Sequence, residues 1–171
     1  MLEKVISPFR ASAASKSFLD LRSIKDARTA THSFRIVTPS PEQTLLAFFD
    51  HLDERRYDAL LSLMTQDAIW HRQGQRLQGH AQILAALQQR SNTQRIRHLV
   101  TNLLQRSAGA DEARLTHYMT ALRHDDGVVH AGPVTIAGPL RMSLVTTHLV
   151  RVAGAWRIAE QAIATEFEFA A

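Results

Sequence analysis

"RIRHLVTN", Arg95 to Asn102, is the stretch on which the fold turns. Before it, apolar residues recur at helical spacing. From it onward they recur at every second position, the period of a strand. Read as a strand, Ile96, His98, Val100 and Asn102 share one face, and Arg95, Arg97, Leu99 and Thr101 the other. A histidine and an amide therefore stand among aliphatics, on the face that a one-sided sheet would bury.

Downstream, four strands are expected at about 95–107, 112–124, 139–152 and 155–167, with Gly109, Gly127 and Gly154 marking the turns. Upstream, Ser40, Pro41 and Gln43 form a helix start: an N-cap, a proline at the first helical position and the partner of a capping box. The helix that follows runs to about Arg56. Its Leu45, Leu46, Phe48, Phe49 and Leu52 span one arc of roughly 160°. "YDALLSLM" reads as a short second helix, "DAIWHR" as a strand and "RQGQRLQG" as a turn with a return strand. "HAQILAALQQR" is a third helix. Helices first and an antiparallel meander after them make an α+β domain. A curved sheet with helices on one face makes a cone, whose mouth is a natural pocket.

Asp53 falls inside the apolar arc of the first helix, whereas Asp50 and Glu54 fall outside it. A carboxylate is rarely buried without a partner, because desolvating it is costly. His98 is the candidate partner across the cone. An aspartate that accepts a hydrogen bond from one imidazole nitrogen fixes the tautomer and frees the other nitrogen to act as a general base. The same pair also suits a purely structural role. Asn102, two pleats along, is a candidate donor to a substrate oxygen. Trp70, Arg72 and Tyr118 are further candidates for the pocket wall. His148, on the face of Met142, Leu144 and Val150, is a second candidate for the interior. His71 stands either at the mouth or in solvent. No histidine spacing reads as a metal site, and no glycine loop cradles a phosphate.

The chain has 171 residues, enough for one domain with a sizeable core, and it has no cysteine. Its net charge of +4 is not spread evenly. Residues 1–40 hold seven basic and three acidic side chains; the remainder is balanced. The folded body thus carries no nucleic-acid footprint, and no apolar run reaches the ~18 residues of a membrane helix. Residues 1–39 are expected to be a disordered basic extension. They have a faint transit-peptide character, outweighed by the three acids, and the expected location is cytoplasmic. Residues 40–171 are expected to form the domain.

The segments "LDERRYDALLSLMTQDAIWHRQGQRLQGHAQILAALQQR", "RIRHLVTN" and "GAWRIAEQAI", in this order over roughly residues 42–169, resemble the SnoaL-like branch of the NTF2-like superfamily. The resemblance implies a cone-shaped α+β barrel and a homodimer packed through the outer face of the sheet. A strand at 139–152 that is apolar on both faces agrees with such packing. The superfamily includes scytalone dehydratase and hexachlorocyclohexane dehydrochlorinase, which abstract protons with a His–Asp dyad. The matching positions are Asp53 and His98. The resemblance therefore implies a cofactor-independent lyase or isomerase acting, in an apolar pocket, on a small apolar, aromatic or polyketide-like molecule; charge and hydropathy give no reason to expect nucleic acid or membrane as partner.

Departures surround the dyad. Leu52 and Arg72 stand where the dehydratase has tyrosines, and Gln161 where many relatives have arginine. "LDERRYD" and "RHLVTN" also resemble the β subunits of aromatic-ring-hydroxylating dioxygenases, which makes a non-catalytic binding or assembly module the alternative. The third helix fits the SnoaL-like branch better.

Overall fold

A computed structural model describes residues 38–170. The expected extension at 1–39 lies outside the described residues except for its last two positions. From Ser40 onward the order is α1 (Pro41–Asp53), α2 (Tyr57–Ser62), β1 (Met64–Arg72), β2 (Gln75–Gln78), α3 (Gly79–Gln88), β3 (Arg95–Ala108), β4 (Glu112–His124), β5 (Arg141–Val152) and β6 (Ala155–Glu168).

The start of α1 is the capping box. Ser40 Oγ accepts from the Gln43 amide at 3.2 Å, and Gln43 Oε1 accepts from the Ser40 amide at 2.8 Å. Orphan donors of the first turn are thereby satisfied, worth about 1 kcal/mol in total. Leu45, Phe48, Phe49 and Leu52 then form the buried stripe. Leu46, expected inside the arc, is 46% exposed; it lies at the edge of the wheel.

The six strands form one sheet in the order β2-β1-β6-β5-β4-β3. β3 to β6 are an antiparallel meander, and β1 joins β6 in parallel. A parallel neighbour needs a crossover connection, and the chain between β1 and β6 runs through α3 and the meander. α1 packs against the inner face of the sheet, touching β3, β4 and β6. Phe48 is its centre: it meets Phe49 at 5.3 Å and Trp70 at 5.5 Å between ring centroids, both edge to face. Each such buried side chain contributes roughly 1.5–3 kcal/mol of apolar transfer.

The inner face of the meander is built from Leu115, His117 and Met119 on β4 and Val145, Thr147 and Leu149 on β5. This fixes the other alternation as the outer face. Tyr118, Met142, Leu144, His148 and Val150 all point outward, so His148 is not an interior residue; its Nε2 lies 3.6 Å from Glu112. The turn joining β5 to β6 has two residues, Ala153 and Gly154, both at positive φ (49° and 81°). A two-residue hairpin turn of this hand suits the twist of the strands. Gly154 adopts it freely, whereas Ala153 does so against its Cβ.

Candidate active site

Asp53 is the last residue of α1. The carbonyl end of a helix is the wrong place for a carboxylate, so its charge must be met from elsewhere. β3 meets it twice. The backbone amide of His98 donates to Asp53 Oδ2 at 2.8 Å, and Nδ1 of the His98 ring lies 2.5 Å from Asp53 Oδ1. Both side chains are nearly buried, at 9% and 10% exposure. Because a carboxylate only accepts, Nδ1 carries the proton that joins the pair. Nε2 has no hydrogen-bond partner among the described residues. Phe49 braces the ring from α1, with centroids 5.5 Å apart. The expected Asp53–His98 contact is therefore present.

His98 lines a cavity of about 380 Å³ between α1, the α3 end and the inner sheet. That is within the range of small-molecule sites. Ala121, directly across from His98 in the β3–β4 register, lines the same cavity with a small side chain. Trp70 and Arg72 line the same cavity, with the Arg72 guanidinium 4.8 Å above the Trp70 ring. Burial, followed by the charges of Arg90 and Arg141, holds Arg72 below the ordinary arginine value. Arg90, Arg123 and Arg141 also line the wall, so the pocket is not the apolar one expected. Charged residues at strand ends read in sequence as solvated, yet here those ends form the mouth.

Two expected wall residues are elsewhere. Tyr118 lies on the outer face, 37% exposed, because the alternation is set by its buried neighbours His117 and Met119. Asn102 is exposed at a β-bulge: Thr101 pairs with Tyr118 and Leu104 with Thr116, so β3 spends one residue more than β4. Asn102 takes φ of 52°, which asparagine tolerates, and Leu103 packs against the core instead. His71 is paired with Glu160 at 3.1 Å, away from the cavity lining.

Sequence reasoning undervalues His117. It is 1% exposed, meets Phe49 edge to face at 5.3 Å, and neither ring nitrogen has a partner among the described residues. Burial pulls its pKa down to about 4, so it is a neutral core residue. The spacing in "HDDGVVH" is a second signal that the strand period does not reveal. His124, Asp126 and His130 bring one ligand atom each within 4.8 Å of one another on the β4–β5 connection. That would offer an ion two nitrogens and an oxygen, but none of the three lines the cavity. Asp126 already accepts from His130 at 2.9 Å and from the Val128 amide at 3.0 Å. These bonds hold its carboxyl at about 2.

The model of the SnoaL-like domain matches residues 42–161. The chain belongs to the SnoaL-like family. Among solved structures, the SnoaL-like chain is similar to a putative scytalone dehydratase from Novosphingobium aromaticivorans. The TM-score is 0.61 and the identity 15%, over 76% of this chain and 85% of the other. A protein of unknown function from Mycobacterium tuberculosis gives a TM-score of 0.60 at 18% identity, over 73% of each chain. ActVI-ORFA from Streptomyces coelicolor gives 0.57 at 21% identity, over 72% of this chain and 95% of the other. At such identities these likenesses speak to the fold, which is the NTF2-like, cystatin-like α+β fold. No curated protein sequence matches the chain. No helix among the described residues is long and apolar enough to cross a membrane.

Proposed function

We propose that this SnoaL-like protein is a small-molecule lyase or isomerase in which His98 is the general base. The observation that carries the reading is the asymmetry of the His98 ring. Nδ1 is tied to Asp53 at 2.5 Å, while Nε2 has no partner among the described residues and the residue lines an open cavity. A core histidine held only for packing has no need to line a cavity.

The reaction would begin at a carbon acidified by a neighbouring carbonyl. The C–H bond breaks, the proton passes to Nε2, and the electron pair moves onto the carbonyl oxygen as an enolate. Asp53 holds the ring in place and stabilises the imidazolium that forms. Expulsion of a β-leaving group completes an elimination; return of the proton at another carbon completes an isomerisation. Such a base contributes ~10²–10⁴-fold to rate. The step asks nothing of a cofactor. The outer face, where Leu99 and Tyr118 are exposed beside half-buried Met142 and Leu144, is the surface on which a second copy would pack.

The test is proton exchange. A panel of carbon acids, from aromatic ketones to β-hydroxy ketones, is incubated with the protein in D₂O and followed by NMR. Deuterium uptake or elimination that His98→Ala abolishes supports the reading. Uptake that survives His98→Ala, or a panel inert to the wild type, counts against it. An assembly module of the dioxygenase β-subunit kind would show no exchange and would co-purify with a second subunit.

A further inference from the structure

Four guanidiniums converge on the cavity from four different places in the fold: Arg72 at the end of β1, Arg90 after α3, Arg123 near the end of β4 and Arg141 at the start of β5. None of the four forms a salt bridge among the described residues. Asp125 is the one carboxylate on the cavity wall among the described residues. It accepts from Thr93 Oγ1 at 2.6 Å and from Ser91 Oγ at 3.1 Å, and its charge is felt by Arg123, which leaves Arg72, Arg90 and Arg141 as the cavity arginines without a carboxylate among the described residues.

Like charges that outnumber their counterion in a half-enclosed space repel one another, the more so as the surroundings exclude water. Arg72 is disfavoured as a cation first by burial and then by the charges of its neighbours Arg90 and Arg141. Arg90 adds a second sign. One of its nitrogens donates to the Leu52 carbonyl at 2.7 Å, while Nη2 is buried and has no partner among the described residues. The Arg90 guanidinium thus keeps donor capacity that the described residues do not use. Guanidinium is the side chain whose fork fits carboxylate-like oxygens.

We propose that the cavity takes a substrate bearing an anionic oxygen group, a carboxylate or an acidic phenol or enol, held by Arg72, Arg90 and Arg141 with its reactive C–H turned to His98. This rests on the reading of His98 as base for the last clause alone; the anion site stands on the arginines. It also gives the chemistry an electrophilic partner. Charge that develops on the enolate oxygen would meet fixed guanidinium donors, the kind of preorganised stabilisation that dominates in many enzymes. Trp70, buried beneath Arg72, holds that guanidinium in place by a cation–π contact.

Naphthalene-2-carboxylate and naphthalene-2-carboxamide are the probes, being alike in shape and different in charge. Calorimetric titration of the full chain should give a Kd at least tenfold lower for the carboxylate, with a preference that shrinks as salt is raised. Arg141→Met should lose at least tenfold in affinity for the carboxylate and stay within about twofold for the amide. Without ligand, its melting temperature should equal or exceed the wild type's, because a like charge has been removed. Arg72→Met should behave likewise; if it fails to fold, Arg141→Met decides alone. His98→Ala should keep the preference. Equal binding of the two probes, or binding of neither at millimolar concentration, overturns the anion site and leaves the base reading to the exchange experiment. Loss of the preference in His98→Ala also overturns it, since the anion would then be held by an imidazolium.

Discussion

Replacing His117 by leucine should remove a defined part of the protein's acid sensitivity. The imidazole is 1% exposed, neither nitrogen has a partner among the described residues, and burial pulls its pKa to about 4 from an ordinary 6.5. The native state therefore resists a proton that the unfolded chain accepts. Between pH 6.5 and about 4 the unfolded state binds more protons, so stability falls as pH falls through this window and levels off below it. At about 1.36 kcal/mol per unit, the full loss is about 3 kcal/mol. Between pH 7 and pH 5 it is roughly 2 kcal/mol. Leucine has nearly the same volume and no donor to leave unsatisfied, which offsets the loss of edge-to-face packing on Phe49. The variant should match or exceed the wild type at pH 7. Urea unfolding followed by circular dichroism at both pH values gives the four free energies required. The wild type should lose roughly 2 kcal/mol more than His117→Leu on going from pH 7 to pH 5. An equal loss in both proteins refutes the reasoning. So does a variant destabilised by more than about 2 kcal/mol at pH 7, which would mean that the ring has a hydrogen-bond partner after all.

Ala153→Asn should raise stability by roughly 0.5–1 kcal/mol, seen as a thermal midpoint a few degrees higher, because asparagine accepts the positive φ that alanine resists; an unchanged or lower midpoint speaks against strain in that turn. Asp53→Ala should cost about 1.5–3 kcal/mol in denaturant unfolding, the range for hydrogen bonds to a charged group, and adding His98→Ala should cost little more; full additivity in the double-mutant cycle would deny the contact. Once a substrate is found, Asp53→Asn and His98→Ala should each lower kcat strongly, with the double variant near the worse single. Sedimentation at micromolar concentration should show a dimer, and Tyr118→Glu on the outer face should yield a monomer of normal secondary structure; a wild-type monomer rejects the outer-face interface.

The elements are legible because the hydrophobic period changes cleanly near Arg95, and because the Ser40 capping box and the glycine turns mark boundaries that chemistry alone explains. The dyad is legible for a similar reason: an acid inside an apolar arc and a histidine on an apolar face each break a local rule, and two breaks that can satisfy one another are informative. Asn102 escapes because alternation, carried straight along β3, runs through a bulge. The spacing from Val100 to Leu103, three where two is regular, is its trace in the sequence. Tyr118 is misplaced by phase, since its buried neighbours Leu115, His117 and Met119 set the opposite face. The arginines at the mouth cannot be found by periodicity. A strand end reads alike whether it enters water or rims a cavity, and only the curvature of the sheet separates the two.

The double grip of Asp53 on β3 has an evolutionary consequence. One carboxylate oxygen holds the imidazole ring and the other holds the strand's backbone. Selection for a folded protein would thus conserve the aspartate whether or not a family member turns over a substrate. Retention of the pair across relatives is then a poor marker of catalysis. The position to watch is Ala121, whose small side chain lines the cavity across from His98. In lineages released from chemistry, drift should enlarge residue 121 and fill the cavity long before it erodes Asp53.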